Sequence, residues 1–250
     1  MKSKQAMTLD RLLSRYGVAS RTGARTMIEA GRVRVNGIVQ RDPEHWVAPG
    51  KDRVQLDGNR LRRQPTVCLL FYKPKGVLVS HGDPGGRKTI YEVLGAQMHG
   101  KAGWLSPVGR LDKDTSGLLL VTNDTEFAHF VTSPESRVPK TYIAKVSGLM
   151  DDETIGRLAR GVRMKRGDEA QPLSVQRRED RGKYTWLEVV LTEGKNREVR
   201  RMVEAVGFKV LKLVRTAIGP LTLAGLEVGR SRPVAASEIA ALRRYVVPAG

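Results

Sequence analysis

Asn36-Gly37 constrains the chain more than any other dipeptide in it. A two-residue turn of this kind takes a positive φ at both positions, which matches the twist of the strands it joins. Here the flanks alternate: Arg32-Val33-Arg34-Val35 enters and Ile38-Val39 leaves. Ahead of the hairpin, Thr8 can cap a helix that places Leu9, Leu12 and Leu13 on one face and stops at Gly17. Ser20 can cap a second helix, with Met27 and Ile28 inward and Gly31 as its stop. A further strand at Val54 to Leu56 closes the unit. Residues 8–57 therefore read as a small domain of two helices and a hairpin.

The texture changes after it. Residues 58–66, with Gly58, Asn59, three arginines, Gln64 and Pro65, are polar, basic and without apolar periodicity, and read as a linker. Beyond lie strand candidates at Val67 to Tyr72, Leu118 to Thr122, Tyr142 to Val146, Leu173 to Gln176, Trp186 to Leu191 and Val210 to Arg215, with a Gly/Pro turn at His81 to Arg87. Helices are expected from Asp124 to Phe130, Asp151 to Ala159, Asn196 to Val206 and Ser237 to Arg244. Strands outnumber helices, and no regular βαβ alternation with a Gly-rich first turn is present. The larger domain, residues 67–235, is thus α+β with a mixed or antiparallel sheet. Residues 236–250 are expected to form a helix, packed on the sheet through Ile239, Ala240 and Leu242, and a loose tail.

Charge narrows the partner. Lys plus Arg number 44 against 26 Asp plus Glu, a formal net charge of +18, with a pI near 10.4. The excess is shared, net +8 over residues 1–66 and net +10 over 67–250. A folded chain of this charge points to a polyanion, with nucleic acid ahead of a membrane surface, because phosphate neutralisation releases counterions. Arginines at 11, 15, 21, 25, 32 and 34 spread over the helix pair and hairpin, where one face can carry a continuous positive stripe; ordinary solvated helix faces are the competing reading. One Cys (Cys68) excludes an internal disulfide, and it and four His residues (His45, His81, His99, His129) stand in no zinc spacing. Met1 to Ala6 lacks an apolar segment behind it, and the longest aliphatic run, Leu118 to Val121, is far short of the ~20 residues of a membrane span. The expectation is a cytoplasmic protein without metal or cofactor.

Gly109-Arg110-Leu111-Asp112-Lys113-Asp114-Thr115-Ser116-Gly117 is a polar loop with two carboxylates that runs directly into the aliphatic strand, a rigid support for site residues. Spacing alone favours a turn whose Asp side chains cap backbone amides. A metal site through Asp112 and Asp114 lacks a further acidic ligand at motif spacing, and a nucleotide loop lacks G-x-x-x-x-G-K-[ST].

Two resemblances add to this reading. Leu9-Asp10-Arg11-Leu12-Leu13, Val18-Ala19-Ser20-Arg21 and Gly31-Arg32-Val33-Arg34-Val35-Asn36-Gly37 resemble, in order and spacing, the alpha-L RNA-binding domain of a small-subunit ribosomal protein and of many RNA-modifying enzymes. The loop and its strand, through Asn123-Asp124, resemble the catalytic motif of the pseudouridine synthases, in the branch of the RsuA or RluB type. Tyr72-Lys73-Pro74-Lys75-Gly76, Lys140-Thr141-Tyr142 and Leu191 to Met202 resemble three further motifs of that family, in family order, so the likeness spans residues 8 to about 235. It implies a mixed, mainly antiparallel sheet with a central cleft, and isomerisation of a uridine in ribosomal RNA.

Carried over residue by residue, the resemblance makes Asp112 the essential carboxylate, acting on the sugar, on C6 of the base or in support of an elimination. Arg200 is expected to pair with it and favour its charged form. Tyr142 is expected to stack on the uracil, its hydroxyl handling a proton near C5, against the alternative of a core tyrosine. Lys73, Arg110, Lys195, Asn196 and Arg197 are expected phosphate or cleft contacts, and Arg11, Arg21, Arg25, Arg32 and Arg34 the RNA face of the small domain. Glu198 stands where many relatives carry Gln; Asn196-Arg197-Glu198-Val199-Arg200-Arg201 resembles the large-subunit branch more closely. The implied partner is ribosomal RNA or a precursor subunit, with the target base flipped from its stack; a synthase acting on small-subunit rRNA or tRNA and a non-catalytic RNA-binding or ribosome-assembly factor are the alternatives, and monomer is the default expectation.

Overall fold

The computed structural model describes residues 6–95, 104–165 and 167–245; the first residues of the Met1 to Ala6 segment and the tail after Tyr245 lie outside these. Two compact units emerge, one from Met1–Cys68, Gly95–Ser106 and Val121–Thr125, the other from Leu69–Leu94, Pro107–Leu120 and Glu126–Gly250.

In the smaller unit, helices Leu9–Arg15 and Arg21–Glu29 bury Leu9, Leu12, Leu13, Ala24 and Ile28 against Val33, Val35, Val47 and Val54. Ser20 caps the second helix as expected, its hydroxyl accepting the Gly23 amide at 3.0 Å. Thr8 does not cap the first: its hydroxyl donates instead to Asp10, 2.5 Å away. Strands Val33–Val35 and Ile38–Gln40 pair through Asn36 (φ 51°) and Gly37 (φ 87°). Asp57 (φ 48°) and Gly58 (φ 81°) form a second turn of the same kind, so Asn59–Arg60 pairs with Val54–Leu56 and Leu61 packs on the small core. The expected linker at 58–66 is therefore corrected: its first residues are a fourth strand of the small sheet.

The larger unit is built on a nine-stranded sheet. Its main path runs Ser174–Arg181, Tyr184–Leu191, Lys140–Val146, Val210–Ile218, Ser116–Thr122, Cys68–Lys73 and Ser231–Pro233. Val210–Ile218 pairs antiparallel with Lys140–Val146 but parallel with Ser116–Thr122, so the sheet is mixed and mainly antiparallel, as expected. Strand Tyr184–Leu191 alternates between buried and half-buried residues. The buried face packs on helices Asp152–Arg160 and Glu198–Ala205 through Ile155, Leu158, Val199, Met202 and Val203. Asp151 caps the first of these by accepting the Thr154 amide at 2.8 Å. Helix Ala236–Arg244 buries Leu242 so closely over Gly219, at the end of strand Val210–Ile218, that any side chain at 219 would collide with it.

Candidate active site

Loop 109–115 is held by its backbone. Gly109 takes φ 71°, and the Thr115 amide donates to the Asp112 carbonyl at 3.1 Å, which closes a tight turn. Strand 116–122 follows at once, and its second residue explains the glycine there: a Cβ on Gly117 (φ 118°) would lie 2.2 Å from the Arg215 carbonyl oxygen. Only glycine allows the parallel pairing of Gly117 with Arg215 that fixes the loop's exit.

Two cations secure the same loop from below. Lys73 is wholly buried, and its ammonium donates to the carbonyls of Pro74 and Thr115, each at 2.9 Å. The expected phosphate contact by Lys73 is thereby corrected: the side chain faces the interior, where two carbonyls compensate the buried charge. Burial pushes Lys73 down to about 8, with Asp112 and Asp114 pulling the other way. Arg200 donates from Nη2 to the Asp114 carbonyl at 3.0 Å and from Nη1 to the Val210 carbonyl at 2.9 Å. The expected direct pairing of Arg200 with Asp112 is not formed; the cation that reaches Asp112 is Arg197, 4.0 Å from its Oδ2. Two backbone carbonyls occupy the Arg200 fork, so it orients the turn rather than the carboxylate. Burial lowers the Arg200 pKa, Arg197 adds to that, and Asp112 and Asp114 partly restore it.

Asp112, about one-third exposed, lies on the wall of a cavity of about 660 Å³. Tyr142, Arg110, Lys195, Asn196 and Arg197 line the same cavity, so the site residues expected in the larger domain meet there, apart from Lys73 and Arg200. Tyr142 is half-buried and packs against the sheet's apolar core, so it is a core neighbour as well as a cavity wall. Arg110 is exposed, whereas Lys195 bonds the Glu193 carboxylate and the Glu169 carbonyl. Helix Glu198–Ala205 begins two residues later than expected, because Arg197 takes the left-handed conformation (φ 51°) at its N-cap. Among the described residues no three His, Cys, Asp or Glu side chains converge as metal ligands.

The cavity also holds charged residues that carried no expected role. Arg215, 5 % exposed, donates from Nε to the Leu118 carbonyl at 2.7 Å. Its only sequence signal is a cation, one of two, inside a mainly apolar strand. Lys140 donates to the Thr192 carbonyl at 3.1 Å, and burial, assisted by Arg215, pushes it down to about 8. Glu198 is 4 % exposed and accepts the Lys195 amide at 2.9 Å. Burial, then the neighbouring Glu193, raise it to about 7.

In the smaller unit, Arg11 and Arg34 are exposed, and Arg34 donates to the Gly37 carbonyl. Arg21 and Arg25 flank the buried Asp10 at 2.9 and 3.6 Å, and Arg32 pairs with Asp57. These three arginines have partners within their own unit and remain partly exposed.

Known proteins resemble this chain in sequence and in fold. The family model described as RNA pseudouridylate synthase matches residues 67–205, and that of the S4 domain matches residues 7–54. The chain is 38 % identical to the ribosomal large subunit pseudouridine synthase B of Bacillus subtilis (strain 168), over 94 % of this chain and 95 % of that protein. It is 39 % identical to the protein of the same name from Yersinia pestis, over 86 % of this chain and 68 % of that one. A crystal structure of a pseudouridylate synthase superposes with a TM-score of 0.68 at 27 % identity, covering 94 % of this chain and 99 % of the other.

Proposed function

Because the chain belongs to the RNA pseudouridylate synthase family and carries an S4 domain, we propose that it converts one uridine of large-subunit ribosomal RNA to pseudouridine, with Asp112 as the reacting carboxylate. The large-subunit assignment is supported by the names of the relatives and by the Asn196 to Arg201 sequence. The observation that carries the reading is the placement of Asp112: partly exposed, on a turn anchored by buried cations, in the cavity that Tyr142 also lines.

The reaction balances within one nucleotide. The C1′–N1 bond breaks and C1′–C5 forms, C5 gives up its proton and N1 gains one. No co-substrate or small-molecule cofactor is called for. Attack at C1′, addition at C6 and support of an elimination all need a carboxylate that is ionised and rigidly held. Arg197 is the cation beside that carboxylate, 4.0 Å from the Asp112 Oδ2. Tyr142 supplies a ring for the uracil to stack on and a hydroxyl for proton transfer at C5. A base inside a duplex cannot reach Asp112, so the target is flipped out, at least cost where the RNA is looped or weakly paired. Arg110, Lys195, Asn196 and Arg197 hold flanking phosphates, and Arg11, Arg21, Arg25, Arg32 and Arg34 present the S4 domain to RNA. The protein acts as a monomer in the cytoplasm, on ribosomal RNA or a precursor subunit.

Pseudouridine mapping on unmodified large- and small-subunit ribosomal RNA, treated with wild type and with Asp112→Asn, tests this. One new site in large-subunit RNA with wild type alone is the expected result. A site in small-subunit RNA would redirect the substrate, and conversion by the Asn variant at the wild-type rate would remove Asp112 from the chemistry.

A further inference from the structure

A second cavity, of about 330 Å³, is lined by Arg157, Arg160, Gly161, Val162, Arg163 and Ala205. Three of its six lining residues are arginines, all exposed, and no hydrogen bond or ion pair within 4.0 Å engages any of them among the described residues. Arg163 has Glu169 as its register partner on the neighbouring strand, yet their side chains form no ion pair. Elsewhere in the chain exposed arginines such as Arg21, Arg32 and Arg87 do find carboxylates. The local sequence is biased in the same sense: residues 154–167 contain five Lys or Arg and no Asp or Glu. The C-terminal end of helix Asp152–Arg160 accounts for a preference for Arg157 and Arg160 through the helix dipole. It accounts neither for Arg163, which lies beyond Gly161, nor for the presence of all three arginines around one concavity.

The cavity has a fixed relation to the active site. Helix Glu198–Ala205 contributes Glu198 and Val199 to the active-site cavity and Ala205 to the second one. At 1.5 Å per residue its length is about 10 Å, a span that a short stretch of ribose-phosphate backbone covers.

We propose that Arg157, Arg160 and Arg163 form a second phosphate-binding site, which takes the backbone of the RNA substrate outside the nucleotides held at Asp112. Guanidinium groups suit this task because their planar forks bind phosphate oxygens in pairs. The proposal rests on the reading of the protein as an RNA-modifying enzyme and extends its footprint beyond the catalytic cavity and the S4 domain.

The test compares the full-length wild type with R157Q/R160Q/R163Q and with R157K/R160K/R163K, using an unmodified bacterial large-subunit rRNA transcript as probe. The Gln variant is expected to bind more weakly, with KM raised and kcat at saturating RNA unchanged. The slope of log K against log[salt] should fall by about 2 for three phosphates on a single strand. The Lys variant should recover most of that slope. Wild-type affinity and slope in the Gln variant would overturn the proposal. Phenylglyoxal labelling of the wild-type protein, read by peptide mapping, gives an answer that needs no variant: RNA should protect Arg157, Arg160 and Arg163. Equal labelling with and without RNA, or equal protection by inorganic phosphate alone, would overturn the RNA assignment. If wild type modifies no ribosomal RNA but the slope still falls, the functional reading fails and this site stands; if wild type is active and the Gln variant binds as well as it does, only this site fails.

Discussion

The ammonium of Lys73 donates to the carbonyl of Thr115, 2.9 Å away and 42 residues along the chain, at the point where the Asp112 loop becomes a strand. Arg200 grips the Asp114 carbonyl of the same turn from another element, 86 residues away in sequence. Lys73 and Arg200 thus each spend a hydrogen bond on the backbone of this loop. They fix where the Asp112 carboxylate stands and leave it open to the cavity, with Arg197 as its near charge. This arrangement holds the Asp112 carboxylate, which we propose to be the reacting group, on a rigid support.

Replacing Lys73 by Met keeps the apolar stem and removes the donor. The Pro74 and Thr115 carbonyls are then left without this partner in a buried place, and the variant should lose about 1–3 kcal/mol of stability by urea unfolding. Its single-turnover rate should fall more than its RNA affinity, since the loop loses position while the basic surface is unchanged. A variant with wild-type stability and rate would show that Lys73 does not hold the loop.

Glu198→Gln yields a pH-dependent prediction. The folded protein keeps the Glu198 proton up to about 7, against an ordinary value near 4.5, because burial and Glu193 both disfavour its charge. Below about 4.5 both folded and unfolded chains hold the proton, and the residue costs nothing through ionisation. Between about 4.5 and 7 the unfolded chain ionises first, so wild-type stability falls with rising pH, and above 7 the full penalty persists. Glutamine fits the same place without a charge. The variant should match wild type near pH 4.5 and be more stable by about 1–3 kcal/mol at pH 8, measured by denaturant melts across that range. A constant difference at all pH values would mean that Glu198 is not titrating.

Much of this was legible in the sequence, and the losses have physical causes. Ser20, Asn36-Gly37 and the strand candidate Trp186 to Leu191 carry local signals, and each appears where it was read. Asp57-Gly58 carries the same hairpin signal as Asn36-Gly37, but the basic, proline-ended stretch after it looks like a linker; the fourth strand is only two residues long and mostly polar. Cavity residues such as Asp112, Tyr142 and Arg197 could be named from motifs. The acceptors of Lys73 and Arg200 could not, because they are backbone carbonyls, which every residue has. Arg215 was missed for the same reason: Leu118, whose carbonyl it bonds, lies 97 residues away and reads only as an aliphatic strand residue.

Gly117→Ala should be the most damaging small substitution in the larger unit. The added methyl would sit 2.2 Å from the Arg215 carbonyl oxygen, on a backbone with φ 118° that alanine rarely adopts. Relief requires the two parallel strands to part next to the Asp112 turn. We expect a loss of about 3–5 kcal/mol, in the range seen for large core disruptions, with soluble yield falling in step. A circular dichroism melt within a few degrees of wild type would show that the strands can separate at little cost.

Tyr142 separates stacking from proton transfer. Its ring packs on the apolar core and its position lines the Asp112 cavity, so Phe keeps the ring while Leu keeps only bulk. If the hydroxyl moves the C5 proton, Tyr142→Phe should bind RNA as wild type does yet turn over about 10²–10⁴-fold more slowly, the usual range for a positioned acid or base. The slowing should appear in single-turnover conversion, and a substrate deuterated at C5 should show a larger isotope effect with Phe than with wild type. Tyr142→Leu should lose the stacking surface as well, and bind an RNA carrying the target uridine no better than one in which that uridine is abasic. Equal rates for Phe and wild type would leave the ring as the working part of Tyr142, and equal behaviour of all three would return it to a packing role in the sheet.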